Sequence, residues 1–306
     1  MSFTSTVKDE ASKIIESKTE MISELSAIVK CTKIEDSIIK IDTENNSVAR
    51  KVYNIFKELY NINPKIIVRT GYNFNKHYIY IIEEKDKNHK IITDLGLYDN
   101  EILNIPKDFV IADEELLRAY LRGVFLISGS INDPKTSRYH LEFILDDISY
   151  AKYISNLLNK FNLNSKVIKR DNKYTVYVKE AEKISDFLRI IGTTNALFYY
   201  EDIRIYRDHK NMTNRLNNCE QANVDKIVMS SNEQIKNIEK LKNSDAFEFL
   251  DDKLKTVAEY RLKYPDTSLQ ELSEIITLET GNTITKSGLY HRLNKIKEIS
   301  SKKKKL

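Results

Sequence analysis

The stretch Leu116-Leu-Arg-Ala-Tyr-Leu-Arg-Gly-Val-Phe-Leu-Ile-Ser-Gly-Ser130 decides the fold of this chain. Its apolar residues predict a helix over Leu116–Ile127, and Gly123 and Gly129 lie six residues apart along it. Glycine inside a helix costs about 1 kcal/mol relative to alanine. The two glycines therefore predict close contact with a second helix, and we expect that partner to be the apolar segment Met21–Cys31.

The residues around these two helices form an internal repeat. Ser47–Arg69 aligns with Ser149–Arg170 with seven identities in 22 aligned positions when Asn61 is skipped. The predicted elements recur in one order: a first helix (Met21–Cys31, Leu116–Ile127), a strand (Ser37–Ile41, Tyr139–Leu145), the aligned helix and strand, a hairpin partner (His77–Ile82, Tyr174–Val178) and a closing helix (Ile91–Leu97, Ala181–Ile191). Chance similarity between amphipathic helices is the alternative, but the shared turn N-x-K followed by apolar residues and arginine favours duplication.

The predicted fold class is α+β, with a duplicated unit of about 20–100 and 115–205 forming one domain, 1–208, with a saddle-like sheet. A polar helical linker is expected at 209–245, because its apolar stripe is narrow. An ordinary helix packed on the first domain is the alternative for this segment. A length of 306 residues and 41% apolar composition agree with two domains.

Residues 246–306 are predicted to be an all-α helix-turn-helix domain with a basic tail. Ser268-Leu-Gln-Glu271 has the pattern of a capping box that begins one helix, and Gly281 suits its end. The next helix begins near Lys286, so the helix-turn-helix extends from Ser268 to Ile299.

Basic charge is concentrated at the end of this domain. Residues 285–306 contain eight lysines or arginines and one glutamate, whereas residues 246–284 contain four basic and eight acidic residues. With Leu289, Leu293 and Ile296 facing inward, the outward or flanking residues are Lys286, Ser287, His291, Arg292, Asn294 and Lys295. Such groups contact base edges and phosphates, so double-stranded DNA is the predicted partner. A solvated basic helix is the alternative.

The stretch around Gly123 resembles the LAGLIDADG helix of homing endonucleases. In those enzymes two such helices pack at a pseudo-dyad, and each ends in an acidic residue that holds a divalent metal. Here the corresponding position is Ser128, and the first copy ends at Lys30-Cys31-Thr32. Hydroxyl, thiol and ammonium groups do not replace carboxylates as ligands of hard metals. The resemblance therefore implies degenerate metal positions at Ser128 and Thr32, no catalytic residues and no metal.

The chain as a whole resembles the WhiA family of bacterial sporulation and cell-division regulators. The matching motifs are Ser2–Ser5 with Val7-Lys8, Leu121–Gly123, Gly129-Ser130, Asp133-Pro134, Tyr139–Glu142, Asn214–Glu220, Ala222-Asn223, Ser268–Leu272, Thr285–Gly288 and His291–Leu293. The resemblance implies a non-enzymatic DNA-binding regulator of cell division, chromosome segregation and sporulation-type transcription, with other transcription or cell-division proteins as candidate partners. An active LAGLIDADG homing endonuclease is the alternative.

Several function classes lose support from composition alone. The sequence contains neither G-x-G-x-x-G nor G-x-x-x-x-G-K-[ST], so no nucleotide cofactor or small-molecule substrate is expected. Two cysteines exclude a disulfide framework. The first ten residues include Lys8, Asp9 and Glu10 without an apolar segment, and no apolar run approaches about 20 residues. A cytoplasmic, nucleoid-associated protein without a membrane partner is expected.

Overall fold

The computed structural model describes residues 2–35, 37–70, 78–136, 138–244 and 246–302. The chain divides into two compact units, Met1–Arg207 and Asp208–Leu306. The elements in chain order are α1 (Phe3–Ala11), α2 (Lys18–Lys30), β1 (Lys33–Glu35), β2 (Ile38–Thr43), α3 (Asn46–Tyr60), β3 (Lys65–Thr70), β4 (Tyr78–Lys85), α4 (Lys90–Asp94), β5 (Tyr98–Asp99), β6 (Glu101–Ile102), a 3-10 turn (Asp108–Ile111), α5 (Glu114–Ser128), β7 (Gly129–Ile131), β8 (Leu141–Leu145), α6 (Ile148–Lys160), β9 (Lys166–Arg170), β10 (Lys173–Val178), α7 (Ala181–Ile190), α8 (Thr194–Lys242), α9 (Asp252–Lys263), α10 (Leu269–Thr280) and α11 (Lys286–Lys302).

The duplicated α+β fold is confirmed, because α2-β1-β2-α3-β3-β4-α4 recurs as α5-β7-β8-α6-β9-β10-α7. Each copy forms its own four-stranded antiparallel sheet, in the orders β1-β2-β4-β3 and β7-β8-β10-β9. Ile41 pairs with Ile82 in the first sheet, and Phe143 pairs with Val176 in the second. The predicted saddle-like sheet thus consists of two sheets, one from each repeat.

Several predicted boundaries need correction. Asn61 and Asn162 both adopt the left-handed conformation, with φ of 55° and 56°, and so occupy equivalent turns. The extra residue of the first copy therefore lies within α3, before Asn61. The first closing helix is shorter than the predicted Ile91–Leu97, since α4 ends at Asp94. His77, at the start of a predicted strand, lies outside the described residues.

The two repeats meet along α2 and α5, and Gly123 lies at their contact. A Cβ atom on Gly123 would overlap the carbonyl oxygen of Glu24 and lie 2.9 Å from Cβ of Ala27. The prediction of close helix contact is confirmed for Gly123. It is wrong for Gly129, where an added Cβ would overlap the Phe125 ring of its own helix. Gly129 instead permits the change from α5 to β7 directly beside that ring.

Helix α8 begins earlier than the predicted linker and crosses the boundary between the units. Its first turn lies in the first unit, where the Glu10 carboxylate accepts hydrogen bonds from the backbone amides of Asn195 (2.7 Å) and Ala196 (2.9 Å). Tyr200 is fully buried there, and Ile238 is fully buried in the second unit. The helix is predominantly exposed between about 208 and 230. No helix of the described residues is long and apolar enough to cross a membrane.

Candidate nucleic-acid interface

Helices α10 and α11 form a helix-turn-helix whose ends are fixed by local hydrogen bonds. Ser268 and Glu271 form the predicted capping box at the start of α10. Gly281 ends α10 in the left-handed conformation, with φ of 70°, and its amide donates to the Thr277 carbonyl at 3.0 Å. Thr285 begins α11 by accepting a hydrogen bond from the Gly288 amide at 3.1 Å.

The inner face of α11 packs in the core of the C-terminal unit. Leu289, Leu293 and Ile296 are at most 4% exposed and belong to one apolar cluster with residues of α8, α9 and α10. Further along the helix, Lys297 pairs with Glu233 of α8 at 2.7 Å, and Ser300 donates to Asn237 at 3.1 Å. These contacts fix which face of α11 is turned outward.

The outward face of α11 contains most of the predicted DNA-binding side chains. Lys286, Ser287, His291 and Lys295 are exposed, whereas Arg292 and Asn294 are half-buried at its edges. Ser287, His291 and Lys295 follow one another at intervals of four residues and therefore share one face. Of the basic tail, Lys303–Lys305 lie outside the described residues.

Sequence reasoning missed Tyr290 as a member of this surface. Its side chain is 51% exposed, and its ring centroid lies 6.0 Å from that of His291. The sequence spacing could have identified it, because Tyr290 follows Lys286 by four residues and therefore lies beside it on the helix. Tyrosine supplies both a planar apolar ring and a hydroxyl, which suits contact with a polar ligand surface.

The predicted degenerate metal positions lie at the ends of α2 and α5. The Ser128 hydroxyl donates to the Val124 carbonyl at 2.8 Å, and the Thr32 hydroxyl donates to the Val29 carbonyl at 2.7 Å. The Cys31 thiol lies 3.9 Å from Oγ of Ser128. Both hydroxyls are thus engaged with carbonyls of their own helix ends.

Cys31 is surrounded by hydroxyl, ammonium and carboxylate groups, with Asp146 acting on Cys31 and Asp147 on Lys30. The Cys31 sulfur lies 3.9 Å from the Tyr150 hydroxyl, which in turn lies 2.8 Å from that of Tyr120. Burial raises the pKa of Cys31 to about 11, so the thiol is protonated at neutral pH. Burial also lowers the pKa of Lys8 to about 8, while Glu44 acts to raise it. The Lys30 ammonium lies 5.6 Å from the centre of the Tyr150 ring.

This set of groups does not fit a divalent cation. Magnesium and calcium prefer carboxylate and carbonyl oxygens. The helix ends instead present two hydroxyls that donate to backbone carbonyls, a neutral thiol and nearby ammonium groups. Across the described ranges, no group of three or more His, Cys, Asp or Glu residues is arranged to hold a metal ion. We therefore derive no metal-dependent step at this position.

A buried cluster of four ionisable side chains beside Gly123 was also missed from the sequence. Lys51 of α3 lies 3.0 Å from both Glu16 and Glu24, and Arg122 of α5 contacts the same two carboxylates. All four side chains are at most 6% exposed. Burial raises the pKa of Glu24 to about 8, with Glu16 acting in the same direction and the two cations opposing it. We refer to these residues as the buried charge cluster.

Family models match the chain in three consecutive segments. The WhiA N-terminal LAGLIDADG-like domain matches residues 18–98, the WhiA LAGLIDADG-like domain matches 117–210, and the WhiA C-terminal HTH domain matches 213–300. Together with the repeated fold and the outward face of α11, these matches define the class. It is a duplicated LAGLIDADG-like domain followed by a helix-turn-helix.

Full-length relatives identify the family. Proteins named probable cell division protein WhiA are similar to this chain: one from Lactiplantibacillus plantarum at 39% identity over 98% of each chain, and one from Enterococcus faecalis at 37% identity over 99% of this chain and 98% of its own. A crystal structure of full-length WhiA from Thermatoga maritima has 27% identity, a TM-score of 0.59 and 99% coverage of each chain. The chain belongs to the WhiA family.

Proposed function

We propose that this protein binds double-stranded DNA through the outward face of α11 and performs no cleavage. The observation that carries the proposal is the placement of Ser287, His291 and Lys295 on one exposed face of a helix-turn-helix. Cations on such a face neutralise phosphates, while hydroxyl and imidazole groups reach base edges. Lys286, Arg292, Asn294 and Tyr290 extend the same surface on its flanks.

The LAGLIDADG-like domain is proposed to be a non-catalytic scaffold. This part of the proposal rests on the helix ends, where Ser128, Thr32 and Cys31 offer no carboxylate. Relatives named for cell division support a regulator that acts in that process. We extend this role to transcription regulation, sporulation-type control and chromosome segregation, with nucleoid association through DNA and with other transcription or cell-division proteins as partners.

A triple substitution, His291→Ala, Arg292→Ala and Lys295→Ala, tests the DNA-binding face. The side chains are not part of the buried apolar cluster, so helicity should be retained. Each lost phosphate contact lowers the magnitude of the slope of log Kobs against log salt by about 0.9. If Arg292 and Lys295 each neutralise one phosphate, the slope falls by about 1.8 in magnitude. Fluorescence anisotropy with duplex DNA over a series of salt concentrations measures this slope.

The matched control is Lys236→Ala with Lys240→Ala. Both lysines are exposed on α8 in the same unit, so the pair removes two cations without touching α11. We expect the control to keep the affinity and the salt slope of the unchanged protein. Equal slopes and affinities for the triple variant and the unchanged protein would locate DNA binding away from α11.

A further inference from the structure

A second cationic site lies inside the C-terminal unit, where α8 and α9 meet the first turns of α10 and α11. It is a pocket of about 250 Å³. The charged side chains that line it are all basic, and hydroxyl and amide groups complete its polar wall. The lining residues used below are Lys226, Ser231, Arg261, Leu269, Gln270 and Lys286. No aspartate or glutamate of the described residues lines it.

Arg261 is buried at this pocket without an acidic partner. It is 1% exposed, and its Nη1 donates to the Thr267 carbonyl at 2.8 Å and to the Ser231 hydroxyl at 3.4 Å. Its buried Nε has no hydrogen-bond acceptor among the described residues. Burial lowers the pKa of Arg261, and no neighbouring charge opposes that effect. A buried guanidinium in this state is destabilising unless an anion compensates it.

The start of α10 adds hydrogen-bond donors to the same pocket. The first amides of a helix have no acceptor within the helix. Ser268 occupies one of these amides, since its Oγ accepts a hydrogen bond from the Glu271 amide at 3.2 Å. The amides of Leu269 and Gln270 precede that of Glu271, and both residues line the pocket. The positive end of the helix dipole therefore acts together with three basic side chains.

We propose that this pocket binds a phosphate-type oxyanion, held by Arg261, Lys226, Lys286 and the first amides of α10. A phosphate group offers the charge and the multiple acceptor oxygens that a guanidinium recognises. Because Arg261 is almost fully buried, a free phosphate compound reaches it more easily than the backbone of a stiff duplex. The site shares Lys286 with the proposed DNA-binding surface of α11, whereas Arg261 and Lys226 lie outside that surface.

Calorimetric titration of the full chain with sodium phosphate, without DNA and at constant ionic strength, tests the site. We expect saturable binding with a stoichiometry of one. Lys226→Gln removes an exposed lysine of the pocket and should weaken phosphate by about three- to tenfold. Arg261→Gln should abolish measurable binding. Lys236→Gln, which changes an exposed lysine of α8 outside the pocket, should leave the affinity unchanged.

Because Arg261 is part of the folded interior, Lys226→Gln compared with Lys236→Gln is the decisive pair. The proposal would be overturned if the heat of the phosphate titration did not saturate, or if these two variants bound phosphate with equal affinity. Duplex affinity measured with and without saturating phosphate at fixed ionic strength then distinguishes the source. An unchanged DNA affinity supports a free anion, whereas one-for-one competition assigns the pocket to a backbone phosphate and overturns the free-anion assignment.

Discussion

Removal of one cation from the buried charge cluster should cause a large loss of stability. Arg122→Met keeps much of the side-chain volume but removes one of the two cations of the buried charge cluster and leaves Lys51. Above about pH 8, where Glu24 ionises, removing one partner of a buried pair costs about 3–5 kcal/mol, because the remaining charge stays buried. For a domain of this size each kcal/mol lowers the Tm by about 2–4 °C. We therefore expect the Tm to fall by about 6–20 °C.

Arg118→Met is the matched control for this substitution. Arg118 lies one turn earlier on α5 and pairs with Glu114 at 2.6 Å, but its side chain is 38% exposed. Exposed pairs contribute about 0.2–1 kcal/mol, so the control should lose less than about 4 °C. Thermal unfolding of the full chain, followed by circular dichroism, measures both variants. Equal losses for Arg122→Met and Arg118→Met would refute the interpretation of the cluster.

The pH dependence gives an independent test of the same cluster. The folded-state pKa of Glu24 is raised from 4.5 to about 8, so the folded protein binds its proton more tightly than the unfolded chain. This group therefore stabilises the fold below about pH 4.5, and the contribution is lost as pH rises to about 8. Removing Arg122 raises this pKa further. The deficit of Arg122→Met should therefore grow as pH rises above about 8 and be larger there than at pH 5, and adding Glu24→Gln should recover most of that increase.

Three further predictions follow from α2, α5 and their ends. Gly123→Leu should lower the Tm, because overpacking costs about 1–3 kcal/mol, while DNA binding by the helix-turn-helix persists; a raised Tm would contradict the packing of α2 on α5. Calorimetric titration with Mg²⁺ or Mn²⁺ should reveal no tight site at Ser128 and Thr32, and a tight site removed by substitution of Ser128 would contradict this. Thiol labelling near pH 7 should modify exposed Cys219 well before Cys31, whose pKa is raised to about 11; equal rates would contradict the described surroundings of Cys31.

The order of elements and the inner face of α11 could be predicted because both follow from periodicity. Apolar residues at helical spacing marked Leu289, Leu293 and Ile296, and the structure buries all three. The repeat was visible because its second helix and following strand keep identical residues at matching positions. The capping predictions were also confirmed, because Ser268 caps the start of α10 and Gly281 ends it.

The buried charge cluster was not predictable in this way. Its members lie far apart in sequence, at Glu16, Glu24, Lys51 and Arg122, and single charged residues ordinarily indicate a solvent-exposed face. The packing of α2, α3 and α5, together with the segment that precedes α2, brings them together. The prediction for Gly129 was wrong for a related reason. Spacing along a helix does not distinguish a glycine that contacts another helix from one that lies beside a ring of its own helix, here Phe125.

The continuity of α8 from Thr194 through the predicted linker was not foreseen, because the apolar signal of the helix changes along its length. The helix packs on the first unit at Tyr200, is exposed around Met212 and Leu216, and is buried again at Ile238. No single apolar stripe therefore extends through it. The polar middle of the helix alone therefore indicated the linker 209–245 and not the earlier turns of α8 from Thr194.

The central claim is that the chain binds DNA without cutting it. Supercoiled plasmid incubated with the full chain and Mg²⁺ tests both parts in one experiment, with electrophoresis before and after removal of the protein. We predict retarded migration that disappears as salt is raised, and plasmid that is recovered supercoiled once the protein is removed. Nicked or linear product, absent when the chain is omitted, or the lack of retardation even at low salt, would contradict the account.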